Sequence, residues 1–480
     1  MGFDFQLLEN AGIQLIDGDR GKNYPKHNDF MEHGYCLFLS ARNVTKSGFQ
    51  FQETAFINEI KDSQLRAGKL SYGDIILTTR GTVGNVAYYD SSNPYKNIRI
   101  NSGMIIIRAD EKLWNPKFLY FILTSGFLQE QIINLISGSA VPQLPARDIK
   151  KFILPVIGRT IQDKIANIIS AFSDKISINI DTNQTLEQMS QTLFKSWFVD
   201  FDPVIDNALD AGNPIPEALQ SRAELRQKVR NSENFKPLPA DIRILFPAEF
   251  EEMALGLIPK GWKFSNVNSL LKNTIGGDWG SDSEDEKHTT QAVIVRGTDI
   301  PELISGKLSS APYRWVEPKK LEKRRINVGD IIIEVSGGSP TQSTGRSIFM
   351  TEQIIDRLGG VIEPASFCRK FEPLSVELGL IISLHLSKIY NDGKMWEYQN
   401  QSTGIANFQT KYFLEAEQIV IPSVQVINAF YRIVMPWIEK SHNNEQIILG
   451  NLRDTLLPKL ISGELSLEDL PDLVTQTEPA

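Results

Sequence analysis

The sequence predicts an α+β fold with two pseudo-repeated mixed α/β domains, joined by two long helices that form an antiparallel coiled coil. Three observations predict this fold. Short sequence features recur in the same order in both halves of the 480-residue chain. Each series closes with a strand-like run that ends in proline, and apolar residues at helical spacing follow each proline.

Two related segments mark the globular domains. GDIIL at Gly73–Leu77 returns as GDIII at Gly329–Ile333, and FILP at Phe152–Pro155 matches IVIP at Ile419–Pro422. The distance between matched features drifts while their order is kept, as expected for diverged copies whose surface loops have gained residues. The predicted domains are residues 1–156 and 257–422.

Within both copies, short β-rich runs alternate with helical patches, which is typical of a mixed α+β domain. The expected strands include Ile75–Thr79, Met104–Ile107, Ile331–Val335 and Ile419–Ile421. The expected helices include Phe118–Ile133 and Leu378–Tyr390.

A long helix is predicted after each copy, over residues 157–201 and 423–466. Apolar residues recur at spacings of three or four, or sums of these, from Ile161 to Trp197 and from Ile427 to Leu460. An apolar stripe that runs for about 57 Å at ~1.5 Å per residue cannot be left in water. We therefore expect the stripes to pack on each other; folding back on their own domains and docking on another protein are alternatives. The predicted seam residues are Phe172, Ile176, Leu186, Leu193, Ile438, Leu449 and Leu456.

The remaining segments are a linker and a tail. Residues 202–256 are predicted to be a linker, because six prolines flank a short helical insert at Glu217–Arg230. Pro436 should kink the second long helix or restart it nearby. Residues 467–480 contain acidic residues and no basic one, and form an acidic tail.

Composition limits the classes of protein to consider. With 41% apolar and 22% charged residues, the chain has an ordinary globular composition. It lacks both a secretory signal and an apolar run near the ~18 residues of a membrane helix, so we expect a cytoplasmic location and no membrane partner. The only two cysteines and the five histidines form no ligand motif, so we expect no metal site. A net charge of −8 argues against nucleic acid, but the acidic tail contributes a large part of it.

No catalytic motif is found. The sequence lacks the glycine-rich cofactor loop and the Asn/Asp-Pro-Pro-aromatic motif of a DNA methyltransferase. The segment Gly338–Ser347 resembles a phosphate loop only superficially, because its glycine spacing is too long and Arg346 stands where lysine is required. We therefore expect a chain without catalysis of its own.

Three segments resemble a known family. Phe194–Pro203 (FKSWFVDFDP) ends the first long helix, Leu452–Leu465 (LRDTLLPKLISGEL) ends the second, and Ile258–Trp262 (IPKGW) begins the second copy. Together they resemble the specificity (S) subunit of type I restriction-modification enzymes, over nearly the whole chain. One departure is that the first copy lacks the Pro-x-Gly-Trp start, so its amino-terminal strand is expected to be short.

The resemblance implies a DNA-recognition subunit. Each target recognition domain would read one half of a split site in double-stranded DNA, while the paired helices set the half-site spacing and dock two modification (methyltransferase) subunits. S-adenosylmethionine for adenine methylation would be held by those partners. Restriction subunits would add ATP-dependent translocation and cleavage with ATP and Mg, so no cofactor is expected on this chain.

Candidate DNA contacts lie after strands and in polar loops. Arg80 precedes a glycine-containing turn and could bind guanine O6/N7 or a phosphate, with a surface salt bridge as the alternative. Base or phosphate contact and loop bracing are both open for the matched positions after a strand. Those positions are Arg42, Asn43, Arg296 and Thr298. The further candidates are Arg20, Lys22 and Lys26 for phosphates, Gln143, the turn residues Thr341 and Gln342, Arg346, and Arg324 and Arg325 from the cationic run 319–325, whose alternative is a solvated face.

Two other interpretations remain. Trp197, Phe198 and Phe201 form either a partner-binding aromatic patch or core packing beside the linker. The whole chain could instead be a protein-interaction scaffold with a coiled-coil spacer, or an autonomous nuclease or methyltransferase.

Overall fold

The structure is a computed structural model that describes residues 3–138, 142–233, 235–337, 341–402 and 405–468. Its internal contacts divide the chain into two units, residues 1–176 with 448–480 and residues 177–447. The first unit therefore combines the beginning and the end of the chain. Most of the predicted acidic tail lies outside the described residues.

The first unit contains eleven short strands and four short helices in its described residues. The strands are β1 (Phe5–Leu7), β2 (Ile13–Asp17), β3 (Cys36–Leu39), β4 (Val44–Thr45), β5 (Gly48–Phe49), β6 (Phe56–Ile57), β7 (Ile75–Thr78), β8 (Val86–Tyr88), β9 (Ile98–Ile100), β10 (Met104–Ala109) and β11 (Ile153–Pro155). The helices are α1 (Glu59–Gln64), α2 (Pro116–Thr124), α3 (Gly126–Leu135) and α4 (Ala146–Ile149).

The central strands of this unit are covered on both faces. The order β2-β10-β7-β8 is antiparallel throughout, while β3 pairs antiparallel with β6 and parallel with β9. Ile75 and Leu77 of β7 belong to an apolar cluster with α2 and α3, whereas Ile76 belongs to a second cluster with β3 and β9. Burial of both faces explains why the sequence of β7 is continuously apolar instead of alternating. The predicted strands Ile75–Thr79 and Met104–Ile107 are confirmed as β7 and β10.

The second unit begins within a long helix and is richer in helices. Its helices are α5 (Arg159–Phe198, shared with the first unit), α6 (Asp202–Ala211), α7 (Gln220–Arg230), α8 (Ala240–Arg243), α9 (Ile300–Ile304), α10 (Pro318–Arg324), α11 (Glu352–Leu358), α12 (Val376–Asn391), α13 (Thr410–Ala416) and α14 (Val424–Ser441). A last helix, α15 (Glu445–Ser462), starts here and continues in the first unit.

The strands of the second unit include a set ordered like that of the first. They are β12 (Phe250–Met253), β13 (Gly256–Pro259), β14 (Lys263–Asn266), β15 (Leu271–Gly276), β16 (Thr290–Val295), β17 (Tyr313–Val316), β18 (Ile331–Glu334), β19 (Ser336–Gly337), β20 (Ser347–Phe349), β21 (Ile362–Pro364), β22 (Cys368–Pro373), β23 (Gln399–Ser402), β24 (Ile405–Phe408) and β25 (Gln418–Ile421). The order β15-β22-β18-β20 is antiparallel, and β16 pairs antiparallel with β17 and parallel with β21. These are the orders and directions of β2-β10-β7-β8 and of β6-β3-β9. The pair β14-β25 likewise corresponds to β1-β11.

Both predicted long helical segments are helical, but the second is broken. Helix α5 is continuous over 40 residues. The second segment consists of α14 and α15, and α14 continues through Pro436 to Ser441. The interruption therefore lies at residues 442–444 and not at the proline. Asn443 stabilises it, because its side-chain oxygen accepts a hydrogen bond of 2.9 Å from the backbone of Glu445.

Arg357 fixes the junction between α14 and α15. Its guanidinium donates to the backbone oxygens of Leu303 (2.8 Å), His442 and Asn443, and to the side-chain oxygen of Asn444 (2.7 Å). Burial lowers the pKa of Arg357 to about 10. The carbonyl dipoles at the end of a helix favour a cation, so one half-buried side chain joins α11, the end of α9 and the residues after α14.

Of the seven predicted seam residues, three belong to two separate apolar clusters and four to neither. Leu193 and Ile438 contribute to one apolar cluster of the second unit, in which the end of α5 packs with α14. Leu456 packs at the edge of the first unit's core, where Ile165 and Ile169 from the start of α5 meet Leu457 and Leu460 from the end of α15. The other predicted seam residues are half-buried, and their pairing stays a prediction. They are Phe172, Ile176, Leu186 and Leu449.

The predicted partner-binding patch is wrong. Trp197, Phe198 and Phe201 are 1%, 3% and 6% exposed and lie in the core of the second unit. Trp197 packs edge to face on Phe246 with ring centroids 4.9 Å apart, and Phe201 meets Trp262 at 5.9 Å. Core packing, the alternative reading of these aromatic residues, is what the structure shows.

The linker folds as part of the second unit, and its predicted helical insert is confirmed as α7. Helices α6 and α7 carry acidic and basic residues at a spacing of four, so carboxylates on one helix face guanidiniums on the other. Asp202 pairs with Arg222 at 2.7 Å and Asp206 with Arg226 at 2.5 Å. A third pair joins Asp210 to Arg230. These ion pairs hold the helices together despite the many prolines that flank them.

Candidate nucleic-acid interface

A cavity of about 140 Å³ in the first unit gathers three predicted DNA contacts, Arg20, Arg80 and Gln143. Arg80 follows β7 directly, and its backbone N–H donates to the Gly103 oxygen at 3.1 Å. An isolated antiparallel bridge joins Arg80 to Gln143, which is 63 residues away in the chain. The fold therefore presents a guanidinium and an amide side by side at the end of a central strand.

Arg80 is exposed, and across the described residues no carboxylate lies within ion-pairing distance of its guanidinium. Its hydrogen-bond donors therefore remain free for a ligand. Arg20 is half-exposed and donates to Asp17 at 3.2 Å and to the Ser102 oxygen at 3.4 Å. Lys22 and Lys26 are exposed in the segment that follows Arg20 but do not line this cavity.

Loop bracing accounts for Asn43, which is 3% exposed. Its side-chain oxygen accepts hydrogen bonds from the backbone and hydroxyl of Ser40, and its amide nitrogen donates to the backbone oxygens of Gln50 and Glu53. Its prediction as a DNA contact is therefore corrected. Arg42 is exposed and forms an ion pair of 2.8 Å with Glu53, and its contact with DNA stays a prediction.

A larger cavity of about 760 Å³ occupies the matching end of the sheet in the second unit. Four predicted residues line it: Arg296, Thr298, Gln342 and Arg346. Thr298 and Gln342 are exposed, and Gln342 donates to the Tyr390 hydroxyl at 3.4 Å. Thr341, beside Gln342, is exposed but does not line the cavity.

The two cations of this cavity are both held by carboxylates. Arg346 makes a bidentate pair with Glu334 at 2.6 and 2.8 Å, and Arg296 makes one with Asp299 at 2.7 and 2.9 Å. These hydrogen bonds raise the pKa of each arginine above its usual value. Both guanidiniums therefore brace the cavity wall, which corrects their prediction as direct DNA contacts.

Glu334 fills a space that glycine leaves open. A Cβ atom built on Gly297 would lie 2.4 Å from the Glu334 carboxylate, and one on Gly337 would lie 2.9 Å from it. Gly337 also has a φ of +140°, a conformation that favours glycine. The ion pair of Glu334 and Arg346 is therefore a fixed part of the cavity wall, and the Glu334 carboxylate packs against the backbones of Gly297 and Gly337.

The cationic run contributes one paired and one exposed arginine. Arg324 lies 2.8 Å from Asp278 and 3.4 Å from the fully buried Glu363, so the structure corrects its prediction as a DNA contact. Burial raises the pKa of Glu363 to about 7 in spite of the nearby Arg324. Arg325 is exposed at the end of α10 and remains a predicted contact.

Sequence reasoning missed three residues of the second site. Trp279 and Phe367 line the cavity and are 39% and 63% exposed. Asn407 faces Ser336 across the β19–β24 pair and accepts a hydrogen bond of 3.0 Å from its hydroxyl. The sequence did hold a signal for Asn407, because residues 136–144 match residues 401–408, which aligns the Arg80–Gln143 pair with Ser336–Asn407.

Two absences hold over the residues that the structure describes. No group of three or more histidine, cysteine or acidic side chains is placed to hold a metal ion. No helix is both long and apolar enough to cross a membrane.

Comparisons with known proteins agree on one family. A family model for the type I restriction modification DNA specificity domain matches residues 14–188. The chain is 25% identical over 469 residues to the type I restriction enzyme HindI specificity subunit of Haemophilus influenzae, covering 93% of this chain and 98% of that protein. It is 24% identical over 421 residues to the type I restriction enzyme MjaIX specificity subunit of Methanocaldococcus jannaschii, covering 86% and 81%.

The fold is also found in a solved structure. The crystal structure of a type I restriction-modification system S subunit from M. genitalium aligns with a TM-score of 0.52 at 15% sequence identity. The alignment covers 96% of each chain. This similarity concerns the fold, and the resemblance noted in the sequence is confirmed by the family model and the two relatives.

Proposed function

The chain belongs to the specificity subunits of type I restriction-modification enzymes, and from that premise we propose that it reads a bipartite DNA target. Each unit would recognise one half-site, and the long helices would set the distance between the half-sites. The chain would have no catalysis of its own. Modification subunits that dock on it would methylate adenine with S-adenosylmethionine, and restriction subunits would add ATP- and Mg-dependent cleavage.

The observation that carries this proposal is the pair of matched cavities. Each lies at the end of the third strand of an antiparallel sheet, after β7 in one unit and after β18 in the other. The shared strand orders support a duplicated domain. The side chains differ, with free arginine and glutamine in the first cavity and amide, hydroxyl and aromatic groups in the second, so we infer that the half-sites differ in sequence.

The helices support the spacing role. A continuous 40-residue α5 gives a stiff connection, which a flexible linker would not. The start of α5 packs with the end of α15 in one unit, and the end of α5 packs with α14 in the other. These contacts favour the antiparallel arrangement, in which two reading domains could be held at a fixed separation as on other two-part DNA sites.

Salt-dependent DNA binding tests this function. The chain is assembled with its modification subunits. Its affinity for a DNA duplex that contains the sequence methylated by this complex is then measured at increasing salt concentration. Affinity should fall steeply and linearly on a logarithmic plot, because phosphate contacts release counterions. A flat response would favour the protein-interaction scaffold, and adenine methylation by the purified chain alone would establish an autonomous enzyme.

Lengthening both helices should change the spacer. Insertion of seven residues within 184–193 of α5, with a matching insertion in α15, adds about 10 Å at ~1.5 Å per residue. Since successive base pairs are ~3.4 Å apart, the non-specific spacer between half-sites should grow by about three base pairs. The spacer is measured by sequencing methylated positions in a host that expresses the complex. An unchanged spacer in an assembled, active complex would contradict the proposed role of the helices.

A further inference from the structure

The turn that ends in Phe367 is the counterpart of the turn that ends in Gly103. Three residues join β9 to β10, and three join β21 to β22. The Gly103 oxygen accepts from the backbone of Thr79 (2.8 Å) and Arg80 (3.1 Å), and the Phe367 oxygen accepts from Val335 (2.8 Å) and Ser336 (3.3 Å). The same position therefore carries no side chain beside Arg80 in the first unit and an aromatic ring beside Ser336 in the second.

Phe367 is exposed beside residues that the fold buries. It is 63% exposed, while the neighbouring Cys368 and Phe371 are fully buried. Its ring lines the cavity together with Thr298 and Gln342, two predicted DNA contacts, and with Trp279. Two exposed aromatic side chains, Trp279 and Phe367, line one cavity and offer an apolar surface that a ligand can cover.

The charged residues around Phe367 limit which bases this cavity can bind. The cations among the lining residues are Arg296 and Arg346, and carboxylates hold both. Among the described residues that line the cavity, no guanidinium is therefore free to bind guanine, in contrast to Arg80. The groups that remain are the ring, the amide of Gln342 and the hydroxyls of Thr298 and Ser336. Amides suit adenine in the major groove, and an aromatic ring suits the C5-methyl group of thymine.

We propose that Phe367 reads thymine in one half-site through apolar contact with its C5-methyl group. This inference rests on the proposed DNA-reading function. It gives Phe367 a base-reading role at the second cavity, like the role proposed for Arg80 at the first. Minor-groove insertion between base steps is the other known use of an exposed aromatic residue on DNA. The neutral, amide-bearing surroundings favour a base-edge contact over insertion.

The test removes one methyl group from the DNA. Each thymine of the target is replaced in turn by uracil, and binding by the assembled modification complex is measured. Loss of a buried methyl corresponds to about fourfold weaker binding. At one thymine of one half-site, the native complex should show this loss. Phe367→Ala should bind the thymine duplex at least fourfold more weakly and should no longer distinguish thymine from uracil there.

Two controls separate this outcome from others. Phe367→Leu keeps an apolar side chain and should retain part of the thymine preference. Tyr412→Ala removes another exposed aromatic residue of the same unit and should leave the preference intact. Uracil in the other half-site should act equally on native and Phe367→Ala complexes.

Three results would overturn the proposal while leaving the DNA-reading function standing. The first is a target that has no thymine in the half-site read by the second unit. The second is a native complex that binds equally well with uracil at every thymine position. The third is a Phe367→Ala complex that keeps the native preference for thymine over uracil. A rise in 2-aminopurine fluorescence that depends on Phe367 would instead show insertion, and would also overturn methyl reading. Failure of the native complex to bind its site would reject the underlying function itself.

Discussion

Replacing Arg80 with alanine should abolish discrimination at one half-site while the complex with the modification subunits still assembles. Arg80 is exposed with its donors free, and it lies beside Gln143 at the end of β7. A bidentate arginine–guanine contact contributes about 1–3 kcal/mol of discrimination, which corresponds to a loss of roughly 5- to 150-fold. Selection from a library of randomised sites, read by methylation, measures the effect.

Two companion variants identify the kind of contact. Arg80→Lys keeps the charge but loses the planar fork, so it should retain affinity and lose base preference if Arg80 reads guanine. Full recovery with lysine would show a phosphate contact. Arg147→Ala removes an 81% exposed arginine of the same unit that is paired with Asp148, and should leave selectivity unchanged. Selectivity that is also unchanged in Arg80→Ala would refute the assignment of Arg80.

Replacing Glu417 with glutamine should lower the free energy of unfolding by about 3–5 kcal/mol, because it removes one member of a buried charged cluster. The Glu417 side chain is 1% exposed. Its carboxylate lies 2.8 Å from His385 Nε2 and 2.6 Å from Lys394 Nζ, and it accepts a hydrogen bond of 2.5 Å from the Tyr398 hydroxyl. Urea unfolding followed by circular dichroism measures the change.

The same cluster predicts acid sensitivity. Burial alone would raise the pKa of Glu417, but hydrogen bonds from His385, Lys394 and Tyr398 outweigh burial and hold the pKa at about 2, below the ordinary value of 4.5. A lowered folded-state pKa contributes stability that is complete above pH 4.5 and is lost as the pH falls towards 2. The loss should be on the order of 3 kcal/mol. Glu417→Gln should show a flatter dependence over this range.

Asp392→Asn provides the matched control. Asp392 is 54% exposed and pairs with Lys388 on the surface of the same unit. Exposed ion pairs contribute at most about 1 kcal/mol, so this variant should unfold close to the native midpoint. An equal loss of stability in both variants would contradict the special role of the buried cluster.

The sequence is sufficient to predict several central strands and helix α5, because their signals are local, but it does not show the break at residues 442–444 of the second helical segment. Continuous apolar runs such as Ile331–Ile333 indicate central strands, and apolar residues at helical spacing indicate α5. The linker shows where such reasoning fails. Its prolines predicted a linker with one short helical insert but not the packing of α6 on α7, although Asp202 and Asp206 are spaced by four, like Arg222 and Arg226. That pattern pairs two helices only once they are packed together.

The candidate sites also combine features that local sequence shows with contacts that form only in the folded chain. Position after a strand is a local property, so the sequence alone selected Arg80 and Arg296, which line the two cavities. Whether a guanidinium is free depends on its partners in space. Arg324 meets Asp278 across 46 residues of sequence, and no periodicity shows that. Phe367 was missed because an aromatic residue in a sequence predicts burial, while the turn between β21 and β22 exposes it.

The anchoring of Arg357 has a consequence for chimeric chains. Its acceptors at residues 442–444 lie beyond the last strand of the second globular domain, so a graft that stops at Pro422 would pair the guanidinium of one parent with the helix junction of another. A half-buried arginine that loses its acceptors leaves donors shielded from water without partners, which lowers stability. A chimera that exchanges the second globular domain between relatives should therefore extend the donor segment to Asn444. The donor's Arg357 and its acceptors at residues 442–444 then come from the same parent.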